Sequence, residues 1–193
     1  VLGLSLGIVC ALVIFLVIEF ELSYDRHQEK LDSIYRVVRL DRQFGEETYG
    51  TGVPEPMPQA MRVDFPEIDF LTVVDNNFGP PVISVDNEAG DISKFKEEDG
   101  FAYVDPDYFQ IFSYEWLQGD PATALANLNT LVISEKVAKK YFGDEDPVGR
   151  QVQVNNARTL QISGVVASPP ENTDLPFHLL ARYDRNERAS DNW

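Results

Sequence analysis

The chain has 193 residues, of which 44% are apolar and 11% aromatic, so it can bury one sizeable core or two small ones and should be globular. Its formal net charge of -16 argues against nucleic acid or an anionic lipid surface as a partner, because both are negatively charged. The single cysteine, Cys10, excludes an intramolecular disulfide.

The first eighteen residues contain no charge, proline, asparagine or glutamine. As a helix they would span about 27 Å, close to the roughly 30 Å hydrocarbon layer of a bilayer. A secretory signal peptide is the competing interpretation, but its apolar part runs about 7 to 15 residues and ends at a small-residue cleavage site, whereas Glu-Phe-Glu-Leu follows here at 19–22. We therefore predict a membrane helix and stalk over residues 1–24, with its beginning missing, and a polar domain over residues 25–193.

Small residues recur every four positions in this segment, at Gly3, Gly7 and Ala11. That spacing places them on one face of a helix, where a second membrane helix can approach closely. The alternative is that glycine is simply frequent in membrane helices. We predict that Gly3, Gly7 and Ala11 form a helix-packing site.

The flank that follows the apolar segment is acidic. Glu19, Glu21 and Asp25 all precede the first basic residue, Arg26. Cytoplasmic flanks of membrane helices are usually rich in lysine and arginine, so we expect the polar domain to lie outside the cytoplasmic membrane. No glycine or proline interrupts residues 9–26, which predicts that the helix continues past the lipid as a stiff stalk.

Beyond the stalk, short apolar runs separated by turn residues predict strands mixed with a few amphipathic helices. Residues 33–44 are rich in β-branched and aromatic side chains, which predicts a strand buried on both faces at its start, and residues 46–52 are expected to return beside it. Helical spacing predicts an amphipathic helix at 57–65, and Ser134 is expected to cap another that ends at Gly143. The other predicted strands are residues 68–76, 82–86, 93–97, 131–133, 151–154 and 160–167. The expected fold class is α+β.

Seven aromatic residues lie between positions 101 and 116. They are typical either of a platform that stacks sugars or bases or of a packed corner of the core. Asp105 followed by Pro106 resembles a helix N-cap with proline at the first helical position, and Phe109 and Phe112 would then share a face. This pattern favours the core.

No site for catalysis, a metal or a cofactor stands out in the sequence. His27 and His178, the two histidines, have no second ligand or base at a diagnostic spacing, and the carboxylates are so many that no pair is singled out. The acidic turn at 144–146 lacks the spacing of a calcium loop, and the loop at 143–150 lacks the Lys-Ser/Thr of a phosphate-binding loop. We therefore predict that the chain is not an enzyme and has no catalytic, cofactor-binding or metal residues.

Short motifs along the whole chain resemble the MacB/FtsX-type permeases of ABC transporters and follow one another in that family's order. The most specific is SEKVAKKYFGDEDPVG at residues 134–149. The others are ELSYDR at 21–26, IYRV at 34–37, FPE at 65–67, DPDYF at 105–109, GDP at 119–121, GVV at 164–166 and PENT at 170–173.

The resemblance implies a permease subunit of the cytoplasmic (inner) membrane, with one helix leading out to an extracytoplasmic MacB-like core domain that continues past Trp193. It also implies an ABC ATP-binding subunit or domain, a homo- or heterodimer of permeases, and other envelope proteins as partners. Similar proteins turn cytoplasmic ATP hydrolysis into movement of the outer domain, which is called mechanotransmission. The substrates implied are peptides, drugs or lipoprotein-like molecules.

The main alternative is a membrane-anchored sensor whose outer domain binds a ligand and signals inward. Its full sequence would contain a second membrane helix followed by a signalling region, whereas a permease would contain three further helices near its C-terminus. A membrane-anchored enzyme is the third possibility, and the missing site disfavours it.

Overall fold

The computed structural model describes residues 2–43, 45–76, 78–86 and 91–184. The fold is α+β, as predicted, with one long helix ahead of a domain of short strands. The helices are α1 (Leu2–Glu21), α2 (Met57–Asp64), α3 (Tyr108–Ile111) and α4 (Glu135–Phe142), with a short 3₁₀ helix at Leu31–Ser33. The strands are β1 (Arg39–Gln43), β2 (Glu46–Gly50), β3 (Val74–Asp75), β4 (Val82–Asp86), β5 (Ile92–Lys96), β6 (Phe101–Val104), β7 (Trp116–Gln118), β8 (Thr130–Ser134), β9 (Gln151–Val154), β10 (Arg158–Val166) and β11 (Leu179–Arg182).

Helix α1 is apolar on every side. Its span Gly3–Glu21 has a mean hydropathy of 2.6, and none of it is buried against the domain. A soluble helix would need a polar face at such exposure, so the residues of α1 suit a lipid environment instead. By length and composition, α1 is the one helix in the described part of the chain that is able to cross a membrane.

Nine of the described strands form one mixed sheet in the order β3-β6-β11-β8-β10-β9-β4-β5, and β7 pairs with the end of β10. Strand β11 runs parallel to β6 and antiparallel to β8. It is the last described strand in the sequence, yet it lies inside the sheet with a partner on each side. The segment that leads into β11 is therefore fixed to the centre of the domain.

Apolar side chains on the two faces of the sheet form two core clusters. The larger cluster includes Leu179 and Ala181 and is covered by α4, while the smaller includes Leu180 and the aromatic residues around α3. Successive side chains of a strand point to opposite faces, so β11 contributes to both clusters.

Helix α4 matches its prediction closely. The hydroxyl of Ser134 accepts the N–H of Val137 at 3.4 Å and so caps the first turn. The helix ends at Gly143, whose φ of 64° lies in the left-handed region that favours glycine. The predicted strands at 82–86, 93–97, 131–133, 151–154 and 160–167 also agree with the structure to within two residues.

The predicted strand at 33–44 is shorter and more exposed than expected. It begins only at Arg39, and Tyr35, in the part predicted to be buried, is 87% exposed. Strands β1 and β2 pair with each other as a separate two-stranded sheet, and residues 35–38, which precede β1, are exposed. The last residue of the prediction, Phe44, lies outside the described residues.

The aromatic residues between 101 and 116 form a packed corner of the core, as predicted. Tyr108 contacts Phe109 edge to face at 5.3 Å between ring centroids, and Phe109 contacts Trp116 at 4.8 Å. The prediction that Asp105 caps α3 is wrong, because the N-cap residue is Asp107. The Asp105 carboxylate is bound instead by two arginines from distant elements.

Candidate functional site at the end of helix α1

The chain turns sharply where α1 ends. The Ser23 hydroxyl donates to the Phe20 carbonyl at 2.6 Å, and Asp25 adopts a φ of 54°, in the left-handed region that aspartate tolerates better than most residues. This turn brings the polar residues after α1 back onto the domain. We call residues 20–30 the helix root.

The first attachment of the helix root is a set of hydrogen bonds to the loop before β11. The Asp25 carboxylate accepts the Thr173 hydroxyl at 2.5 Å and the Asp174 N–H at 3.3 Å, while the Asp25 N–H donates to the Asn172 carbonyl at 3.1 Å. The Asn172 side-chain amide donates to the carbonyl of Ser23 at 3.1 Å and to its hydroxyl at 2.8 Å. We call these five residues the Asp25 clamp.

The second attachment joins the helix root to the segment around α3. The Gln28 side chain is buried and accepts the N–H of Ser113 at 2.7 Å. The Glu29 N–H donates to the Ser113 hydroxyl at 3.2 Å, and the Lys30 ammonium donates to the Gln110 carbonyl at 2.7 Å. Two separate parts of the domain therefore hold the helix root.

The Asp25 clamp lies close enough to the aromatic corner to act on it electrostatically. The phenol oxygens of Tyr108 and Tyr114 are 2.9 Å apart. The pKa of Tyr114 is raised to about 12, mainly by burial; the hydrogen bond with Tyr108 opposes this rise and the charge of Asp25 adds to it. Burial is also the first cause of the raised pKa of Tyr108, so both phenols are neutral at physiological pH.

The predicted helix-packing residues lie on α1, away from the helix root. A side chain built at Gly3 or Gly7 would meet nothing within 4 Å, and Ala11 is exposed. The helix-packing site stays a prediction, since its partner would be another membrane helix.

Residues 21–26 and 170–173 are separate motifs in the sequence, and their hydrogen bonding to each other was not predicted. Ser23 and Asn172 are 149 positions apart in the chain. The sequence feature that could have indicated this contact is the polar composition of the two motifs. Between them they contain serine, threonine, asparagine and aspartate, whose side chains bind the backbone in turns.

A second feature is an open cavity of about 450 Å³ beside the Asp105 carboxylate. Arg62 of α2 binds this carboxylate at 2.9 Å, and Arg182 of β11 binds it at 3.3 Å. These ion pairs fasten α2 to the sheet, which gives the cluster a structural role. No group of three or more histidine, cysteine or acidic side chains is placed to hold a metal ion in the described ranges.

A family model for the MacB-like periplasmic core domain matches residues 1–188. The chain belongs to this family. The match covers both α1 and the domain that follows it, so it confirms the resemblance seen in the motifs. MacB-like domains of this kind are parts of ABC-type permease proteins. No curated protein sequence matches the chain.

Solved structures resemble this MacB-like domain. A domain of a protein assigned as a permease from Porphyromonas gingivalis has a TM-score of 0.57 and 22% identity, covering 77% of this chain and 60% of that chain, and it supports the fold. The periplasmic region of MacB from Actinobacillus actinomycetemcomitans has a TM-score of 0.43 and 18% identity, with 63% and 50% covered. The extracellular domain of the noncanonic ABC-type transporter YknZ from Gram-positive bacteria has a TM-score of 0.40 and 14% identity, with 63% and 57% covered. The chain thus spans 50 to 60% of the length of these structures.

Proposed function

We propose that this chain is the first membrane helix and outer domain of a permease subunit in an ABC-type transporter, and that it works by mechanotransmission. Helix α1 anchors it in the cytoplasmic (inner) membrane with residues 25–193 outside. ATP hydrolysis by a cytoplasmic partner moves α1, and α1 moves the outer domain. Membership of the MacB-like family supports the permease assignment.

The observation that carries the mechanical part of this proposal is the double attachment of the helix root. A simple tether needs only a flexible linker, and such linkers are rich in glycine and serine and make few fixed contacts. Here α1 runs unbroken to Glu21, and the Asp25 clamp begins two residues later at Ser23. Gln28 is then buried against Ser113. Movement of α1 would therefore be passed to the domain directly, because no flexible linker separates the two.

The proposal includes the partners that such a permease needs. These are the membrane, an ABC ATP-binding subunit or domain, a second permease copy as a homo- or heterodimer, and other envelope proteins. The substrate class we propose is a peptide, a drug or a lipoprotein-like molecule outside the cytoplasm. The chain itself would perform no catalysis, since the ATPase supplies the energy.

The test is to insert Gly-Gly between Phe20 and Glu21 in the full-length permease, assembled with its ATP-binding partner in nanodiscs. Each glycine costs the helix ~1 kcal/mol relative to alanine, so the insertion loosens α1 just before the root. Spin labels on Lys136→Cys, an exposed position of α4, in a Cys10→Ala background would report the distance between the two permease copies. We expect the distance change on adding MgATP and vanadate to disappear in the insertion variant.

The matched control is the same insertion between Glu145 and Asp146, in an exposed turn far from α1 in the sequence. It should keep the nucleotide-dependent distance change. Both variants should insert into the membrane and keep the partner's basal ATP hydrolysis. An undiminished distance change in the Phe20–Glu21 insertion would refute mechanotransmission and leave α1 as an anchor.

A further inference from the structure

We infer that the Asp25 clamp fixes the direction of α1 on the outer domain, so that Ser23, Asp25, Asn172 and Thr173 are positioning residues for its movement. The inference rests on the proposed function, because it names the contacts through which motion of α1 would enter the domain. Whatever the function, the angle between α1 and the sheet depends on these side chains and not on chain connectivity alone.

The hydrogen bonds of the clamp are reciprocal. The Asn172 side chain binds the backbone of Ser23, and the Asp25 side chain binds the backbone N–H of Asp174. A backbone hydrogen bond from Asp25 to Asn172, of 3.1 Å, lies between them. Several bonds between two segments that each turn at that point resist rotation, whereas one bond would act as a pivot.

The central contact of the clamp, between Thr173 and Asp25, is strong. The Thr173 hydroxyl reaches the Asp25 carboxylate at 2.5 Å, the short distance typical of a charge-assisted O–H···O⁻ bond. The same hydroxyl oxygen accepts the N–H of Leu175 at 3.1 Å. Thr173 is buried, so little water is available to replace this bond if it is lost.

The loop side of the clamp leads directly into the centre of the sheet. After Leu175 the chain passes through Phe177, which is buried in the smaller core cluster, and His178, whose N–H donates to the Gly100 carbonyl at 2.7 Å. Strand β11 begins at the next residue, Leu179, and pairs with β6 and β8. Six positions therefore separate Thr173 from the centre of the sheet, and the path between them is held by the core.

The segment that follows the helix root toward β1 is attached to the domain more loosely than the clamp. Residues 34–38 belong to no helix or strand, and Tyr35 is 87% exposed. They lead only into the β1–β2 hairpin, which is a sheet of its own. Segments with few buried contacts open easily, so this route transmits motion of α1 poorly compared with the clamp.

The experiment uses the 193-residue chain in nanodiscs and measures a distance from α1 to the domain, which changes when the direction of α1 changes. Cys10, the native cysteine on α1, carries one spin label, and Lys136→Cys on α4 carries the other. Thr173→Val keeps the shape of the side chain and removes its hydroxyl, and Asp25→Ala removes the acceptor. We expect a narrow Cys10–Lys136 distance distribution in the parent chain and a broad one in each variant.

Hydrogen exchange gives a second readout that needs no label. A hydrogen bond to a charged group contributes ~1.5 kcal/mol or more, which corresponds to about tenfold in an opening equilibrium. The Asp174 N–H, which donates to the Asp25 carboxylate, should therefore exchange about tenfold faster in Thr173→Val. The Val137 N–H of α4 should exchange at the parent rate, which shows that the sheet and α4 remain folded.

Thr159→Val and Asp99→Ala are the matched controls, since both residues are exposed and lie outside the clamp. They should leave the distance distribution and the exchange rates as in the parent chain. If Thr173→Val speeds exchange at Val137, the substitution has disturbed the fold. Asp25→Ala, on the helix side of the clamp, then tests whether the clamp fixes the direction of α1.

A broad distribution in the parent chain would overturn the inference, as would parent-like distributions in both clamp variants. Either result would leave the proposed function to the Gly-Gly insertion test, because that test measures the nucleotide-dependent movement of the domain and not the contacts of the clamp. Loss of the nucleotide-dependent distance change in full-length Thr173→Val, with basal ATP hydrolysis intact, is the result expected if motion passes through the clamp.

Discussion

Replacing Ser134 with alanine should lower the stability of the domain by a predictable amount. Ser134 is fully buried where β8 meets α4, and its hydroxyl has two partners. It accepts the N–H of Val137 at 3.4 Å, and it is 2.9 Å from Nδ1 of His178. Alanine fits the same space but removes both hydrogen bonds. The bond with Val137 caps the start of α4, and the contact with His178 joins β8 to the residue just before β11.

The expected cost follows from these two contacts. Loss of a serine N-cap costs ~1 kcal/mol. A buried polar atom left without a partner costs ~1 to 3 kcal/mol, and the lower end applies because His178 is only partly buried, so water reaches it. The sum is about 2 kcal/mol of unfolding free energy. For a domain of this size, the melting temperature should fall by about 4 to 8 °C.

Tryptophan fluorescence during heating is a suitable assay, because Trp116 packs against Phe109 in the smaller core cluster. Ser33→Ala is the matched control, since Ser33 is exposed and such surface changes usually stay within about 0.5 kcal/mol. A fall of less than about 1 °C for Ser134→Ala would refute the assignment of both hydrogen bonds as stabilising. A fall of the expected size with an unchanged exchange rate at Val137 would refute the capping role alone.

Two further predictions concern pH and the membrane helix. Burial, followed by the nearby charge of Lys136, lowers the pKa of His178 below its usual 6.5. The folded state therefore gives up this proton at a pH where the unfolded chain still holds it, so the stabilisation is complete above pH 6.5 and is lost as pH falls toward the folded-state pKa. His178→Asn should reduce the dependence of the melting temperature on pH in that window. An unchanged slope would show that another group causes the pH dependence. Replacing Gly3 and Gly7 together with leucine should weaken permease assembly in detergent, and an unchanged oligomer on native gels would count against the helix-packing site.

Much of the fold was predictable because its signals are local. The length and uniform apolarity of α1 are properties of one continuous segment. Ser134 and Gly143 bound α4 through contacts within a few residues of each helix end, so the sequence contains the information directly. The hairpin of β9 and β10 also joins neighbouring segments. Elements of this kind form in the same way whatever lies across the core.

Predictions failed where distant residues decide the outcome. Asp105 has the local pattern of a helix cap, but its carboxylate binds Arg62 and Arg182, which lie 43 and 77 positions away. Two charged donors outcompete a single backbone N–H for the same acceptor, and nothing in the sequence near Asp105 indicates them. Residues 35–38 have the composition of a buried strand, yet they are exposed, because burial depends on tertiary contacts that local composition does not specify.

The sequence by itself determined an apolar helix, an acidic polar domain, the alternation of short strands and helices, and the motifs of the MacB-like family. Only the tertiary structure decided that the turn after α1 is held by the loop before β11. Hydrogen-bonding groups such as those of Asp25 and Thr173 are common in surface turns, and their sequence specifies no partner. The pairing arises because the sheet places β11 between β6 and β8, which positions Thr173 beside the end of α1.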